Sequence, residues 1–215
     1  MEILALLSVS SLAAVLAMTV SRQLDSLIGL YRWQSLLLTG TVLALAVRLG
    51  HAHLFWTAGM ALLLKVWAIP SMLRRLIHGT ILERSELHFP LTATGTLLFA
   101  SLLTVFGLAV GIGLGPSGTA SLESAVGLAS FLLGLALVAL RSEAIAQVIG
   151  LLVAENGSML LILALAPSLR LVLDAGLFFE TVIGAWIMAL LVHRMHLVHG
   201  HTNTSLLREL GSRWV

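Results

Sequence analysis

The stretch AIAQVIGLLVAENGSMLLILALA, residues 144–166, decides the fold class of this chain. It is long enough to cross a bilayer as a helix, because the hydrocarbon core takes about 20 apolar residues. Its only charged residue is Glu155. A charge at the centre of a bilayer costs about 2.5–3.5 kcal/mol on insertion scales, so such a residue is a candidate functional site by default. The stretch therefore predicts a membrane-spanning helix with a buried acid.

Six further apolar stretches predict that the chain is an all-α bundle of seven membrane-spanning helices. Only 10% of the 215 residues are charged and 59% are hydrophobic. Lipid is therefore expected to cover most of the surface, with no second, soluble domain. The predicted spans are 3–20, 27–47, 54–73, 90–113, 122–140, 144–166 and 171–193.

The arginines predict the orientation of these spans. With the N-terminus outside the cell, eight arginines fall on the inner side and only Arg48 and Arg170 fall outside. This excess predicts a cytoplasmic C-terminus by the positive-inside rule. The first span is not expected to be a signal peptide, because Glu2 precedes it and Arg22 follows it, the reverse of the secretory charge order.

Glu180 is the first candidate for proton handling. It lies near the middle of the seventh predicted span, and Gly176 and Gly184 lie one turn before and after it on the same face. Small residues let a neighbouring helix or water approach the acid. We expect Glu180 to exchange a proton during function; the alternative is an acid held permanently in an interhelical hydrogen bond.

Three further residues are candidate proton-relay sites. Glu155 is central in the sixth span and precedes the small polar run Asn156-Gly157-Ser158. Lys65 lies in the third span near Pro70, which has no backbone N–H and is expected to disturb the helix there. Lys65 is either a relay point or the partner of an acid on another helix or subunit, and we expect it to pair with or bias Glu180 and Glu155. Asp174 is a weaker candidate, near the outer end of its span.

Two other polar residues, both in the second span, are weaker candidates for a functional role. Arg32 and Gln34 are expected near its inner end, where their side chains can reach the membrane surface.

Composition argues against several function classes. There is no cysteine, and therefore no thiolate-ligated iron–sulfur cluster or disulfide is expected. No phosphate-binding loop and no basic patch with interleaved aromatics are present, which argues against nucleotide or nucleic-acid binding. The histidines lie in loops or at span ends rather than within spans, so we expect no metal and no haem. The sequence carries no redox centre, and we therefore expect no other cofactor and no catalytic residue in this chain.

The last part of the chain resembles the small K-type subunit of respiratory complex I, which has three helices and a buried glutamate in each of the last two. The resemblance rests on IGLLVAENG at 149–157, FFETVIGAW at 178–186 and LVHR at 191–194. The family's first acid would fall near Leu152, one turn before Glu155 and on the same face. The resemblance implies a four-helix region over 1–115, a K-like three-helix region over 120–200 and a cytoplasmic tail over 201–215.

The whole chain resembles the E component of membrane-bound nickel–iron hydrogenases of the hydrogenase-four and formate hydrogenlyase type. The resemblance rests on Gln34-Ser35-Leu36, on KVWAIP at 65–70, on Glu155-Asn156-Gly157, and on Asp174 with Glu180. It implies a non-catalytic, multi-pass subunit in the plasma membrane of a bacterium or archaeon. Its partners would be antiporter-like and other membrane-arm subunits, lipids and, indirectly, a cytoplasmic redox arm.

Two alternatives stay open at the level of sequence. One is the K-type subunit of a multi-subunit cation/proton antiporter, which shares the three-helix core. The other is a structural linker whose acids only hold neighbouring helices together.

Overall fold

The computed structural model describes residues 2–50, 52–78, 92–115 and 118–165, together with Val182 and Trp186. These described residues are almost entirely helical and contain no β-strand. The helices are α1 (Glu2–Val20), α2 (Leu24–Leu49), α3 (Ala52–Ala61), a π-helix (Leu62–Ala68), α4 (Ile69–His78), α5 (Ala93–Leu114), α6 (Thr119–Leu140) and α7 (Ala144–Leu165).

Six helical segments among the described residues are long and apolar enough to cross a membrane. One of them, Leu54–Arg74, joins α3, the π-helix and α4 into a single span. The all-α prediction is therefore confirmed for the described part of the chain, which has the composition of a membrane protein. The seventh predicted span, 171–193, lies outside the described residues apart from Val182 and Trp186.

Glycines bring α5, α6 and α7 into close contact. A Cβ atom added to Gly107 of α5 would lie 2.5 Å from the Cα atom of Ala129 in α6. A Cβ atom added to Gly150 of α7 would lie 2.8 Å from the backbone nitrogen of Val138 in α6. Small residues replace the hydrophobic effect as the basis of helix association inside lipid, because they let backbones approach and increase van der Waals contact. The three helices thus form a tightly packed layer.

The substitution Gly134→Ala is expected to destabilise this layer. The added Cβ atom would overlap the backbone of Ala154 in α7, and overpacking of this kind costs about 1–3 kcal/mol. The matched control is Gly113→Ala in α5, where no atom lies within 4 Å of the added Cβ and alanine is the better helix former. Thermal unfolding of the purified protein should show a lower Tm only for Gly134→Ala; equal Tm values would contradict the packing.

The N-terminal helices pack against the C-terminal ones. Helix α1 contacts α6, and α2 contacts α7. Arg141, in the turn between α6 and α7, fixes one end of this arrangement because its Nη2 atom donates to the carbonyl oxygens of Met18 at 3.0 Å, Thr19 at 3.2 Å and Ser21 at 2.8 Å. The last carbonyls of a helix lack a hydrogen-bond donor within their own helix. Here Arg141, about 120 positions away in the sequence, supplies the donor.

Arg141 makes these contacts as a buried cation, with 3% of its surface exposed. Burial lowers the pKa of its guanidinium to about 10, and the nearby Glu143 carboxylate acts in the opposite direction. The group is therefore still charged at neutral pH. Its charge faces the negative end of the α1 dipole, which is the favourable placement for a cation.

Candidate functional site

Five polar side chains from three helical segments meet inside the bundle, and we call them the polar cluster. Its members are Gln34 and Ser35 of α2, Lys65 of the π-helix, and Glu155 and Asn156 of α7. All but Glu155 are buried, with 1% of their surface exposed. The cluster is the point where α2, the π-helix and α7 are joined by hydrogen bonds.

An ion pair forms the centre of the cluster. The Nζ atom of Lys65 lies 2.7 Å from Oε1 of Glu155 and donates to it. The same Nζ atom donates to Oδ1 of Asn156 at 2.9 Å. An isolated buried charge is very costly, but a charge that is paired and hydrogen-bonded is tolerated. The pair therefore explains how Lys65 can occupy a buried position in an apolar span.

Asn156 connects the ion pair to α2. Its Nδ2 atom donates to Oε1 of Gln34 at 2.9 Å and to Oγ of Ser35 at 3.1 Å. Both amide hydrogens are thus used on the α2 side, while the amide oxygen accepts from Lys65. An amide has only two donors and one acceptor oxygen, so this pattern fixes the orientation of the Asn156 side chain.

The polar cluster lies about midway along three of the helical segments that are long and apolar enough to cross a membrane. Gln34 is about 15 Å along α2 from its first residue, and Asn156 is about 18 Å along α7, at 1.5 Å per residue. Lys65 lies midway along the span Leu54–Arg74. In a bilayer crossed by these segments, whose hydrocarbon core is about 30 Å thick, such positions would be far from either headgroup layer.

The π-helix places Lys65 in this position. It covers seven residues, and at its end the Ile69 N–H donates to the carbonyl of Leu64, five residues earlier. Pro70 follows directly and has no N–H to continue the pattern. The disturbance predicted at Pro70 therefore takes the form of a wider helical turn around the lysine. Single turns of π-helix are frequent at functional sites.

The two charged residues differ in exposure. The side chain of Lys65 is 1% exposed, whereas that of Glu155 is 14% exposed. Glu155 is therefore the member of the pair that a proton or a neighbouring group can reach.

The sequence analysis selected two members of this cluster as relay candidates, and the structure brings them together. Lys65 is the partner of an acid on another helix, which was one of its two predicted roles. Glu180 and Asp174, the other two candidates, lie outside the described residues. The prediction for Gln34 was wrong: it is buried in the middle of α2 rather than near the inner end, because α2 begins at Leu24, after the turn that Arg141 holds.

Other buried polar residues escaped the sequence analysis. Tyr31 is fully buried on α2 one turn before Ser35, and Glu123 is 5% exposed in the second turn of α6. The signal for Glu123 was its position within an apolar stretch, which the predicted boundary at residue 122 placed at the span end. Arg32, two residues before Gln34 on α2, is exposed, and whether its side chain reaches the membrane surface stays a prediction.

The cluster offers acid–base groups rather than a metal-binding set. Within the described ranges, no three His, Cys, Asp or Glu side chains are grouped closely enough to hold a metal ion. The groups that the cluster does contain are one ammonium, one carboxylate, two amides and one hydroxyl. Among these, only the ammonium and the carboxylate belong to ionisable side chains.

The fold and the cluster together define a class: a chain that is almost entirely helical over its described residues, with the composition of a membrane protein and a largely buried ion pair midway along segments that could cross a membrane. No protein-family model, curated protein or solved structure matches the chain.

Proposed function

We propose that this protein is a membrane subunit of an energy-converting complex of respiratory type, and that the polar cluster forms part of its proton-translocation path. The observation that carries the proposal is the Lys65–Glu155 ion pair, which Asn156 holds midway along segments that could cross a membrane. Charged residues in the middle of membrane-spanning segments commonly mark ion and proton pathways, and their side chains face the interior of the bundle. The side chains of Lys65 and Glu155 meet between helices of this bundle.

The geometry of the pair permits direct proton transfer. At a distance of 2.7 Å between Nζ and Oε1, the ammonium can pass its proton to the carboxylate and leave a neutral amine and a neutral acid. One N–H bond of the ammonium breaks and one O–H bond forms at Oε1, while the net charge of the pair stays zero. In a poorly solvated site the neutral pair avoids the cost of two desolvated charges. Glu155, which is partly exposed, can then release the proton to a group outside the cluster. The neutral amine of Lys65 must take up another proton before the ion pair forms again.

The resemblance to the hydrogenase-four family supplies the rest of the proposal. It suggests that Glu180 and Asp174 continue the path, and that the partners are antiporter-like subunits and a cytoplasmic redox arm in a bacterial or archaeal plasma membrane. The subunit itself would hold no cofactor and carry out no redox step.

A structural linker is the second candidate function, and one observation favours it. Asn156 uses its amide oxygen for Lys65 and both amide hydrogens for α2, so the cluster also locks three segments together. The two functions differ in whether the ion pair must exchange protons.

The subunit hypothesis predicts that the protein extracted from native membranes in mild detergent is bound to larger membrane subunits and to a redox arm. Partner helices would cover polar side chains such as Glu155, whose exposure to lipid is costly. The measurement is affinity purification followed by identification of the co-purifying chains, with an unrelated multi-pass protein from the same membranes as control. A folded monomer that moves protons across liposomes without partners would contradict the hypothesis.

A further inference from the structure

A groove runs between α1 and α2, on the surface of the bundle and away from the polar cluster. Its volume is about 440 Å³, and its walls include Leu7 of α1 and Gly40, Leu43 and Val47 of α2. Leu43 is 44% exposed and Val47 is 68% exposed, so the groove is open to the surroundings along the side of α2. Apart from one residue, Arg48, every side chain that lines it is apolar.

Arg48 marks one end of the groove. It lies in the last turn of α2 and is the final residue of the span Leu24–Arg48. This position corresponds to the headgroup layer of a bilayer. From Arg48 back to Gly40 the groove extends about 12 Å into the hydrocarbon region, at 1.5 Å per residue.

We propose that this groove is a binding site for an anionic phospholipid, with an acyl chain against Leu7, Gly40 and Leu43 and the phosphate beside Arg48. A cation at headgroup depth above an unbroken apolar surface is complementary to a phosphate above an acyl chain. A Lys or Arg side chain near the membrane surface attracts anionic lipids, and Arg48 is the one such side chain that lines the groove. The site is independent of the proposed proton path, because none of its residues belongs to the polar cluster.

Gly40 keeps the groove open. A Cβ atom added there would lie 3.5 Å from Cδ1 of Leu7, an ordinary contact, so the backbone tolerates a side chain. A leucine at this position would extend beyond that contact and fill the groove. Gly29 of the same helix has no atom within 4 Å of an added Cβ, lies outside the groove, and provides the matched control.

The test uses a photoactivatable diazirine amino acid in place of Leu43, in the full chain with any subunits that co-purify. The protein is reconstituted in vesicles of equimolar phosphatidylglycerol and phosphatidylcholine with identical acyl chains, and adducts are identified by mass spectrometry after illumination. Phosphatidylglycerol adducts should exceed phosphatidylcholine adducts about fivefold, the preference that one cation near an anionic lipid provides. The variant Arg48→Gln should bring the two yields close to equality, whereas Arg22→Gln, at the other end of α2, should leave the preference unchanged.

The variant Gly40→Leu should reduce the yield of both lipid adducts several-fold, and Gly29→Leu should not. Three results would overturn the proposal. The first is equal labelling of the two lipids by the unaltered protein, and the second is a preference that survives Arg48→Gln. The third is cross-linking of position 43 to a protein chain, which would make the groove a contact site for a partner helix.

Discussion

The substitution Lys65→Met is expected to lower the free energy of unfolding by about 3–5 kcal/mol, the usual cost of removing one member of a buried ion pair. Methionine fills a similar volume and is compatible with the membrane interior. It leaves the Glu155 carboxylate and Oδ1 of Asn156 without the ammonium that they share. The measurement is unfolding of the purified protein or complex in detergent, by heat or denaturant.

Two further variants serve as the control and the rescue for Lys65→Met. Arg32→Met removes an exposed cation from α2 and should change stability by less than about 0.5 kcal/mol. The double variant Lys65→Met, Glu155→Gln replaces both charges and should recover most of the loss, because exchanging both members of a buried pair is often close to neutral. A Lys65→Met protein as stable as the unaltered one would mean that the ion pair is not formed in the membrane.

The helices could be predicted from sequence because lipid imposes a simple rule. A spanning segment must be about 20 residues long and apolar, and every described helix that could cross a membrane was predicted. Lys65 and Glu155 were also identified from sequence alone, because a charge in such a segment is conspicuous. Lys65 was expected to pair with or bias Glu180 and Glu155, but the sequence could not show which acid is its partner, since the ion pair joins residues 90 positions apart.

The details that the sequence did not reveal depend on contacts between distant segments. The depth of Gln34 depends on where α2 begins, and the turn before α2 is held by Arg141 from the other end of the bundle. Pro70 indicated a disturbance in the third span, but its form, a π-helix, positions Lys65 against α7. Asn156 was noted only as the first residue of the small polar run after Glu155, and only the structure shows that it joins the ion pair to α2.

The substitution Glu155→Gln is expected to abolish or strongly reduce proton translocation while the complex still assembles. Glutamine keeps the shape of the side chain and an oxygen that can accept from Lys65, but it cannot take up a proton. Removal of a positioned acid–base group typically lowers the rate of proton transfer about 10²–10⁴-fold. The measurement is the number of protons moved per redox turnover in sealed vesicles, with subunit composition checked in the same preparation.

The control for this experiment is Glu2→Gln, which removes an exposed acid at the start of α1 and should leave proton movement unchanged. The double variant Lys65→Met, Glu155→Gln completes the design. If it recovers stability but still moves no protons, the ion pair has a role in translocation that its contribution to folding does not explain. A structural linker makes the opposite forecast, because a folded and assembled complex should then work normally. Normal pumping by an assembled Glu155→Gln complex would therefore remove the polar cluster from the proton path and leave it the role of joining α2, the π-helix and α7.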